Sequence, residues 1–323
     1  MESTKTVAAF HNRFQLLPRT SISKSYQASV YYGFDDWTKK IVAIKRADVS
    51  KLASHKRYSE LHTHKYLSYS DQQQEYIVRL ICYLEPAADH LLLAMEFCHH
   101  GSLYEFLDKH FPDGGMHVDG QLFSGILHTI LQCINFIHSH GLIHCDVKPD
   151  NFLIDKSGKL KICDFGFCKW QDDNKKHVIC GTSDYIAPEV VVKPNGTIEC
   201  SSDIWSFGAT ACELAYGKTP WHFCTTIEEV FTRLRYLIAD SQCATHLFVL
   251  HSYDCPEINK LLEKCLQVRK ELRPTAHSLL KEKPNILAQA DVSALPKRLL
   301  LKISAQRNKM YTANLKRKGI KSL

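Results

Sequence analysis

Apolar residues in the first third of the chain come in short runs, a pattern that predicts β-strands. Residues 50–67 are predicted to form a helix that carries Glu60. The predicted strands are 26–33, 40–45, 77–84 and 91–97. This part of the chain is therefore expected to be rich in β-structure and to contain one longer helix.

From Gly101 onward the spacing of apolar residues becomes that of long helices. One series stops at Gly141, a residue that favours helix termination, and comprises Phe123, Ile126, Leu127, Ile130, Leu131, Ile134 and Ile137. Residues 203–217 are almost wholly apolar and predict a buried helix. The whole pattern predicts an α+β protein of two lobes with a cleft between them. The predicted divisions are a first lobe at 1–97, a second at 98–288 and a tail at 289–323.

The chain has 323 residues, 45% of them apolar, which is enough for two lobes with buried cores. Its formal net charge is +7, but residues 297–323 contain nine Lys or Arg and no Asp or Glu. The rest of the chain therefore carries a charge near −2, and nucleic acid is not expected as a partner.

The basic tail is interpreted as a solvated, partly disordered extension. A nuclear import signal or an anionic docking surface is the alternative. Its first part is also expected to pack on the second lobe, because it contains the apolar residues Leu299, Leu300, Leu301 and Ile303.

Thirteen scattered cysteines without a C-x-x-C pair favour reduced thiols over disulfides or a zinc site. The longest apolar run, residues 91–95, is far too short to span a bilayer, and no secretory signal is recognisable near the N-terminus. These features predict an intracellular protein without a membrane span, in the cytoplasm, the nucleus or both.

The candidate chemistry lies in two segments, HCDVKPDN at residues 144–151 and DFG at residues 164–166. Phosphoryl transfer needs a carboxylate to orient and deprotonate a hydroxyl, oxygen ligands for magnesium and cations on the phosphates. The residues that supply these groups, in order, are Asp146, Lys148, Asn151 and Asp164.

Together with VAIK at 42–45, AMEFC at 94–98 and GTSDYIAPE at 181–189, these segments make residues 14–287 resemble a eukaryotic-type protein kinase. The resemblance implies a kinase-like bilobal fold, with a small β-rich first lobe and a larger helical second lobe. It also implies ATP and Mg²⁺ as cofactors and protein hydroxyls as acceptors. Targeting or regulation would fall to a partner protein.

The resemblance assigns the nucleotide site residue by residue. Lys45 would hold the α- and β-phosphates and pair with Glu60. Met95 would control the back of the adenine pocket, while the Glu96 carbonyl and the Cys98 N–H would pair with adenine. The residues that would sandwich the adenine ring are Val30, Ala43 and Leu153.

The resemblance also assigns the catalytic groups. Asp146 would accept the proton of the substrate hydroxyl, and Lys148 would stabilise charge on the transferred group. Asn151 and Asp164 would bind magnesium through oxygen atoms. The alternative to an active kinase is a scaffold with the same fold that binds nucleotide or partners with little turnover. A third possibility, a small-molecule kinase, is disfavoured by the APE segment and Arg273.

Further motif positions bear on the acceptor and on architecture. The Lys-Pro pair at 148–149 is typical of serine/threonine kinases, and Thr182 lies where such kinases place a threonine that contacts the base and the lysine. Glu189 is expected to pair with Arg273, and Asp203 to tie down the catalytic loop. These features predict a serine/threonine protein kinase.

The nucleotide loop departs from the family pattern. Residues 23–30 read SKSYQASV where the family has GxGxxGxV, so the loop contains no glycine. Glycine allows backbone amides to approach phosphates closely, and we therefore expect weaker ATP binding. The loop residues expected to contact nucleotide are Ile22, Ser23, Ser25, Ala28 and Val30.

A second departure is Cys145, which stands where most family members have an arginine that pairs with a phosphorylated activation loop. Residues 167–180 contain no Ser, Thr or Tyr, and Val178 occupies the usual phosphorylation position. The arginine that would bind the phosphate and the residue that would carry the phosphate are therefore both absent from the sequence. The sequence thus predicts activity that does not depend on activation-loop phosphorylation.

Two minor hypotheses remain open. Asp150 and Glu213 lie where some kinases have acidic residues that select substrates with basic residues before the phosphate acceptor. The alternative is that both are solvated or structural residues. Cys145 and Cys163 are redox-sensitive or, more simply, small buried hydrophobic residues.

Overall fold

The computed structural model describes eleven stretches of the chain: residues 10–25, 28–48, 50, 59–69, 73–85, 90–112, 115–172, 179–191, 198–239, 255–282 and 285–317. The chain divides into two units. The first consists of Met1–His99 with Lys161–Cys168, and the second of His100–Leu160 with Lys169–Leu323. The lobe and tail boundaries given above stay predictions.

The first unit contains a five-stranded antiparallel sheet in the order β1-β2-β3-β5-β4. Its strands are β1 (Phe14–Lys24), β2 (Ala28–Asp35), β3 (Lys40–Asp48), β4 (Leu80–Leu84) and β5 (His90–Glu96). Between β3 and β4 the chain forms the helices α1 (Ser59–Leu67) and α2 (Gln73–Tyr76).

Side chains alternate between the two faces of this sheet, as they do in any β-strand. Val42 and Ile44 enter a core on one face, which also contains Phe10, Phe14, Leu84 and Ala94. Ala47 lies on the other face, where it packs with Leu61 of α1, Leu91 and Leu93. The sheet is thus covered by apolar side chains on both faces, which explains the nearly continuous apolar runs of β3 and β5.

The second unit is helical. Its helices are α3 (Leu103–His110), α4 (Gly120–Ser139), α5 (Pro188–Val191), α6 (Cys200–Tyr216), α7 (Ile227–Ala239), α8 (Pro256–Cys265), α9 (Ala276–Glu282), α10 (Asn285–Ala288) and α11 (Leu295–Arg317). The two long apolar series predicted as helices correspond to α4 and α6, and both are largely buried.

Local signals fix the ends of these helices. A capping box formed by Glu199 and Ser202 begins α6, and Gly217 in the left-handed conformation (φ +70°) ends it. Gly141, with φ +73°, follows the last turn of α4, where the sequence predicted the stop. Glycine adopts these backbone angles without a Cβ clash.

Four short strands lie further along the chain: β6 (Leu142–Ile143), β7 (Phe152–Ile154), β8 (Leu160–Ile162) and β9 (Lys169–Trp170). β6 pairs antiparallel with β9. At the end of β8, the Val78 N–H donates to the Ile162 carbonyl at 2.9 Å. This contact helps to join residues 161–168 to the first unit.

The α+β class, with a β-rich N-terminal region and a helical C-terminal region, is confirmed. The strand predicted at 77–84 begins only at Leu80, because Ile77 forms an isolated bridge to Ile162. Of the helix predicted at 50–67, residues 59–67 are helical, and residues 51–58 lie outside the described residues.

The tail differs from the prediction of a partly disordered extension. α11 continues as a helix to Arg317, and Leu295 and Leu299 are fully buried, so the expected packing at its start is confirmed. The Leu295 side chain lies against Gly125 of α4, where an added Cβ would come within 3.3 Å of a Leu295 methyl group. Apolar contacts with α4 therefore order a segment whose composition suggested disorder. Within the described part of the chain, no helix combines the length and hydropathy needed to cross a bilayer.

Candidate active site

In the first unit, two carboxylates surround one ammonium group. Lys45 Nζ lies 2.5 Å from Glu60 Oε1 and 2.9 Å from Asp164 Oδ1. The alternation of β3 places Lys45 on the face that packs against α1, and Leu61, next to Glu60, anchors that helix. The structure thus contains the predicted pair and adds Asp164 to it.

Burial and charge oppose one another at this cluster. Burial lowers the pKa of Lys45, but the carboxylates of Asp164 and Glu60 outweigh it and hold that pKa above its ordinary value. Burial raises the pKa of Glu60, the Asp164 charge adds to this rise, and Lys45 opposes it. Lys45 therefore stays a cation, held between the carboxylates of Glu60 and Asp164.

Asp164 has a left-handed backbone conformation, with φ +61°, which is uncommon for a residue with a side chain. Its carboxylate is 42% exposed, so it is accessible from solvent. The next residue, Phe165, is fully buried, and its ring lies 4.9 Å from that of His64. The His64 ring in turn contacts the Val78 carbonyl through Nε2 at 2.6 Å. Packing of Phe165 and His64 thus holds the turn that carries Asp164.

The end of β5 carries the residues predicted to meet adenine. Met95 lies opposite Ala43 in the register of β3 and β5, and Cys98 is buried. The Glu96 carboxylate accepts a bond from the Arg79 N–H at 2.8 Å and another from Lys161 Nζ at 2.6 Å. These contacts involve the Glu96 side chain, and the adenine-binding role of its carbonyl stays a prediction.

The hairpin of β1 and β2 carries the predicted loop residues Ile22, Ser23, Ser25, Ala28 and Val30. Ser23 lies opposite Val30, and Val30 lies opposite Lys45 on β3. The hairpin therefore runs beside the lysine predicted to hold phosphates. Residues 26–27 at its end lie outside the described residues.

Side-chain contacts join the two strands at the end of this hairpin. The Ser25 N–H donates to the Ala28 carbonyl at 2.8 Å. The Ser25 hydroxyl lies 3.1 Å from both the Ala28 carbonyl and the Ala28 N–H, and it accepts a bond from that N–H. A serine thus closes the hairpin in a loop that lacks glycine.

In the second unit, Asp146 is the centre of a bonded group. The Thr182 hydroxyl donates to Asp146 Oδ1 at 2.8 Å, and the Asn151 amide donates to Oδ2 at 2.9 Å. Lys148 Nζ lies 2.9 Å from Oδ2 and donates to the Thr182 hydroxyl at 2.6 Å. The structure therefore brings together Asp146, Lys148 and Asn151, and it adds Thr182 as predicted.

Asn151 also donates to the Asp146 carbonyl at 2.7 Å. Both bonds use the amide nitrogen, and they fix the orientation of the side chain. The amide oxygen, a hard donor suited to magnesium, belongs to the same fixed group. Leu153, two residues further, is half-buried on β7 and bridges to Ser102.

Asp203 of α6 holds the backbone just before Asp146. Its carboxylate accepts the N–H of His144 and the N–H of Cys145, each at 2.8 Å. Cys145 has φ +68°, so Asp203 stabilises a backbone turn that a residue with a side chain seldom adopts. This is the tie that the sequence predicted.

The same carboxylate also binds His138 of α4, with Nε2 at 2.9 Å. Burial lowers the pKa of His138, but the hydrogen bonds and charges of Asp203 and Cys200 outweigh it and raise that pKa to about 9. The opposite balance applies to Asp203, where burial raises the pKa and His138 brings it below its ordinary value. Asp203 and His138 form a buried ion pair beneath the catalytic loop.

Two further contacts shape the second unit. Arg273 binds Glu189 through two nitrogens at 2.7 and 2.8 Å, the predicted architectural pair. The Tyr185 hydroxyl donates to Glu213 at 2.5 Å. Glu213 is buried, and burial raises its pKa, which favours the structural interpretation of this residue. Asp150 is exposed.

Both cysteines singled out from the sequence are half-buried. Desolvation raises the pKa of the Cys163 thiol well above its usual range, which disfavours the redox-sensitive interpretation of this residue. Cys145 Sγ lies 3.6 Å from the Ile143 carbonyl. Val178 lies outside the described residues.

Sequence reasoning missed Lys161, His138 and the closing role of Ser25. Lys161 and His138 bind partners 65 residues away in the chain, so no local pattern marks them. The one available signal was Ser25 itself, a hydrogen-bonding residue at a position where glycine was expected.

Residues 22–283, most of the chain, match the family model of the protein kinase domain. The chain belongs to the protein kinase family, as its resemblance predicted. Kinase domains use ATP as the phosphoryl donor.

Several curated relatives are similar over this region. CBL-interacting serine/threonine-protein kinase 2 of Arabidopsis thaliana is 29% identical over 261 residues, 77% of this chain and 51% of the relative. Serine/threonine-protein kinase pakA of Talaromyces marneffei is 30% identical over 262 residues, 80% of this chain and 38% of the relative. Protein kinase C delta type of Homo sapiens is 36% identical over 154 residues, 46% of this chain and 21% of the relative. The chain spans about half the length of these relatives or less.

Proposed function

We propose that this chain is an ATP-dependent protein serine/threonine kinase that transfers the γ-phosphate to hydroxyl groups of proteins. The observation that carries the proposal is the group formed by Asp146, Lys148, Asn151 and Thr182, in which every side chain has a bonded partner. The names of two relatives, which describe serine/threonine-protein kinases, agree with it.

In the proposed reaction Asp146 orients the acceptor hydroxyl and takes its proton. Thr182 and Asn151 hold the two carboxylate oxygens in different directions, so the carboxylate does not rotate away. Lys148 lies within bonding distance of both Asp146 and Thr182, where its ammonium group is placed to stabilise charge on the transferred phosphoryl group.

Magnesium fits the chemistry of the donors on the chain. Asp164 offers an exposed carboxylate within a cluster of net negative charge, and Asn151 offers the oxygen of a fixed amide. Magnesium would neutralise charge on the phosphates. Lys45, held by Glu60, is the proposed cation for the α- and β-phosphates.

The remaining nucleotide contacts are proposed from the family pattern. Backbone groups of Glu96 and Cys98 would pair with adenine, and Met95 would set the depth of its pocket. The residues proposed to cover the two faces of the ring are Val30, Ala43 and Leu153. Ile22 and Ser23 complete the nucleotide loop.

The test is transfer of the γ-phosphate from Mg-ATP to basic proteins, measured beside the Asp164→Asn variant. The proposal expects transfer by the parent and none by the variant. If a thermal-shift assay detects nucleotide binding but no transfer occurs, the result would support a scaffold with the kinase fold instead. The observation that favours this second candidate is the serine-closed loop.

We also propose that activity does not require phosphorylation of the activation loop. The Asp203 ion pair holds the backbone at Cys145 from within the second unit, at the position where the family uses an arginine to read a phosphate. Enzyme produced in bacteria and treated with phosphatase should keep its activity. A large loss that returns when a hydroxyl residue at 181–189 (Thr182, Ser183 or Tyr185) is phosphorylated again contradicts this.

A further inference from the structure

The end of the β1–β2 hairpin has a feature that the absence of glycine alone does not explain. Three hydrogen bonds join Ser25 and Ala28: one between their backbones, and two that use the Ser25 hydroxyl. One of these two occupies the Ala28 N–H, at 3.1 Å. A backbone amide at the end of the loop is therefore already bonded within the protein.

The Ala28 amide lies at a position from which a backbone N–H could donate to a phosphate of ATP. Ala28 is two residues before Val30 on β2, and Val30 pairs across the sheet with Lys45, the proposed phosphate cation. In this family the backbone amides of the loop cradle the phosphates of ATP. An amide bonded to a hydroxyl has to break that bond before it can donate to a phosphate.

We propose that Ser25 is a residue that sets the affinity for the phosphates of ATP, because its hydroxyl withholds the Ala28 amide from them. This inference rests on the proposed function, since it assumes that the hairpin covers nucleotide phosphates. It differs from the expectation that the Cβ atoms of the loop weaken binding by restricting the backbone. If the Cβ atoms are responsible, replacing any loop residue with glycine should improve ATP binding. If the proposal is right, removing the Ser25 hydroxyl alone should improve it.

Four variants separate the two explanations. Ser25→Ala removes the hydroxyl and keeps a Cβ, whereas Ser25→Thr keeps both. Ala28→Gly removes a Cβ and keeps the Ser25 contacts. Ser29→Ala is the matched control, because it removes a hydroxyl from the adjacent strand position that pairs with Lys24.

The measurement is calorimetric binding of Mg-ATP and of adenosine to the full chain, which needs no turnover. Ser25→Ala should bind Mg-ATP about tenfold more tightly than the parent, since a released amide gains a bond to a charged phosphate. Its affinity for adenosine should be unchanged, because adenosine has no phosphate. Ser25→Thr and Ser29→Ala should match the parent for both ligands, and any gain in Mg-ATP binding by Ala28→Gly should be smaller than that of Ser25→Ala.

Equal or weaker Mg-ATP binding by Ser25→Ala overturns the inference, as does a gain in Ala28→Gly that equals or exceeds it. A gain for adenosine as large as that for ATP also overturns it, since phosphate would then not be involved. If neither Mg-ATP nor adenosine binds to the parent or to any variant, the proposed function fails together with the inference. Binding to parent and Ser25→Ala with the same affinity removes the inference alone.

Discussion

The second unit holds its candidate base with side chains at motif positions, whereas the first unit closes its β1–β2 hairpin with a serine that replaces a motif glycine. Around Asp146 the bonded partners are Thr182, Lys148 and Asn151, all predicted from the sequence. At the hairpin the bonded partner of Ala28 is Ser25, which the family pattern does not provide. The comparison teaches that the two candidate sites depart from the family pattern to different degrees: the group around Asp146 follows it, whereas the hairpin replaces a glycine with a bonded serine.

The two units also treat a buried histidine in opposite ways. His64 in the first unit has no carboxylate partner among its hydrogen bonds in the described residues, and burial lowers its pKa to about 4. His138 in the second unit binds Asp203, which raises its pKa to about 9 despite burial. The first unit thus holds its histidine neutral for packing, whereas the second uses a charged histidine to support the catalytic loop.

The largest effect is expected from breaking the support of the catalytic loop with Asp203→Asn. An amide cannot accept the N–H groups of His144 and Cys145 and also pair with a charged His138. Breaking a buried ion pair costs about 3–5 kcal/mol, and displacement of the loop should lower kcat about 100-fold. Urea unfolding and transfer kinetics measure both, with the exposed Asp108→Asn as control. A fully stable and active variant would mean that α6 does not support the loop.

The two histidines give the next largest effect, and their signs are opposite. His64 is neutral in the folded protein, so its contribution to stability is present above pH 6.5 and is lost as pH falls toward 4. His138 is charged in the folded protein, so its contribution is present below pH 6.5 and is lost as pH rises through 9. Each change is on the order of 3 kcal/mol.

Unfolding free energies of His64→Gln and His138→Gln, measured across pH against the parent, check this contrast. The first variant should differ in its pH dependence on the acid side and the second on the alkaline side. Variants that differ from the parent on the same side of neutrality would show that the two units do not treat their histidines in opposite ways.

The smallest effect concerns Thr182→Val, which sharpens the comparison within the second unit. The variant removes the hydroxyl that bridges Asp146 and Lys148, and kcat should fall about 10- to 100-fold with little change in KM for ATP. Thr182→Ser keeps the hydroxyl and should retain most activity. A change in KM rather than kcat would assign Thr182 to nucleotide binding.

The sequence identified the groups that lie in contiguous motifs. Asp146, Lys148 and Asn151 occur within six residues, and their type and spacing match the catalytic loop of the family. The helices α4 and α6 were predictable because their apolar series are long and end at glycine.

What the sequence left out depends on contacts between distant segments. His138 gains its charge because Asp203 and Cys200, both on another helix, raise its pKa, and Asp203 lies 2.9 Å from its ring. The tail became a helix because Leu295 and Leu299 are buried in the second unit, whereas its composition alone suggested disorder. The sequence shows that Ser25 stands where the family has glycine. It does not show that the Ser25 hydroxyl binds Ala28, because that contact depends on how β1 and β2 pair.

The central claim is that the intact group around Asp146 transfers phosphate to protein hydroxyls. The most direct measurement is phosphoamino acid analysis of a basic protein treated with labelled ATP and the phosphatase-treated enzyme, beside Asp146→Asn. The account predicts phosphoserine and phosphothreonine with the parent and no label with the variant. Label that persists at the parent's level in Asp146→Asn, or no label with a parent that binds Mg-ATP, would contradict it.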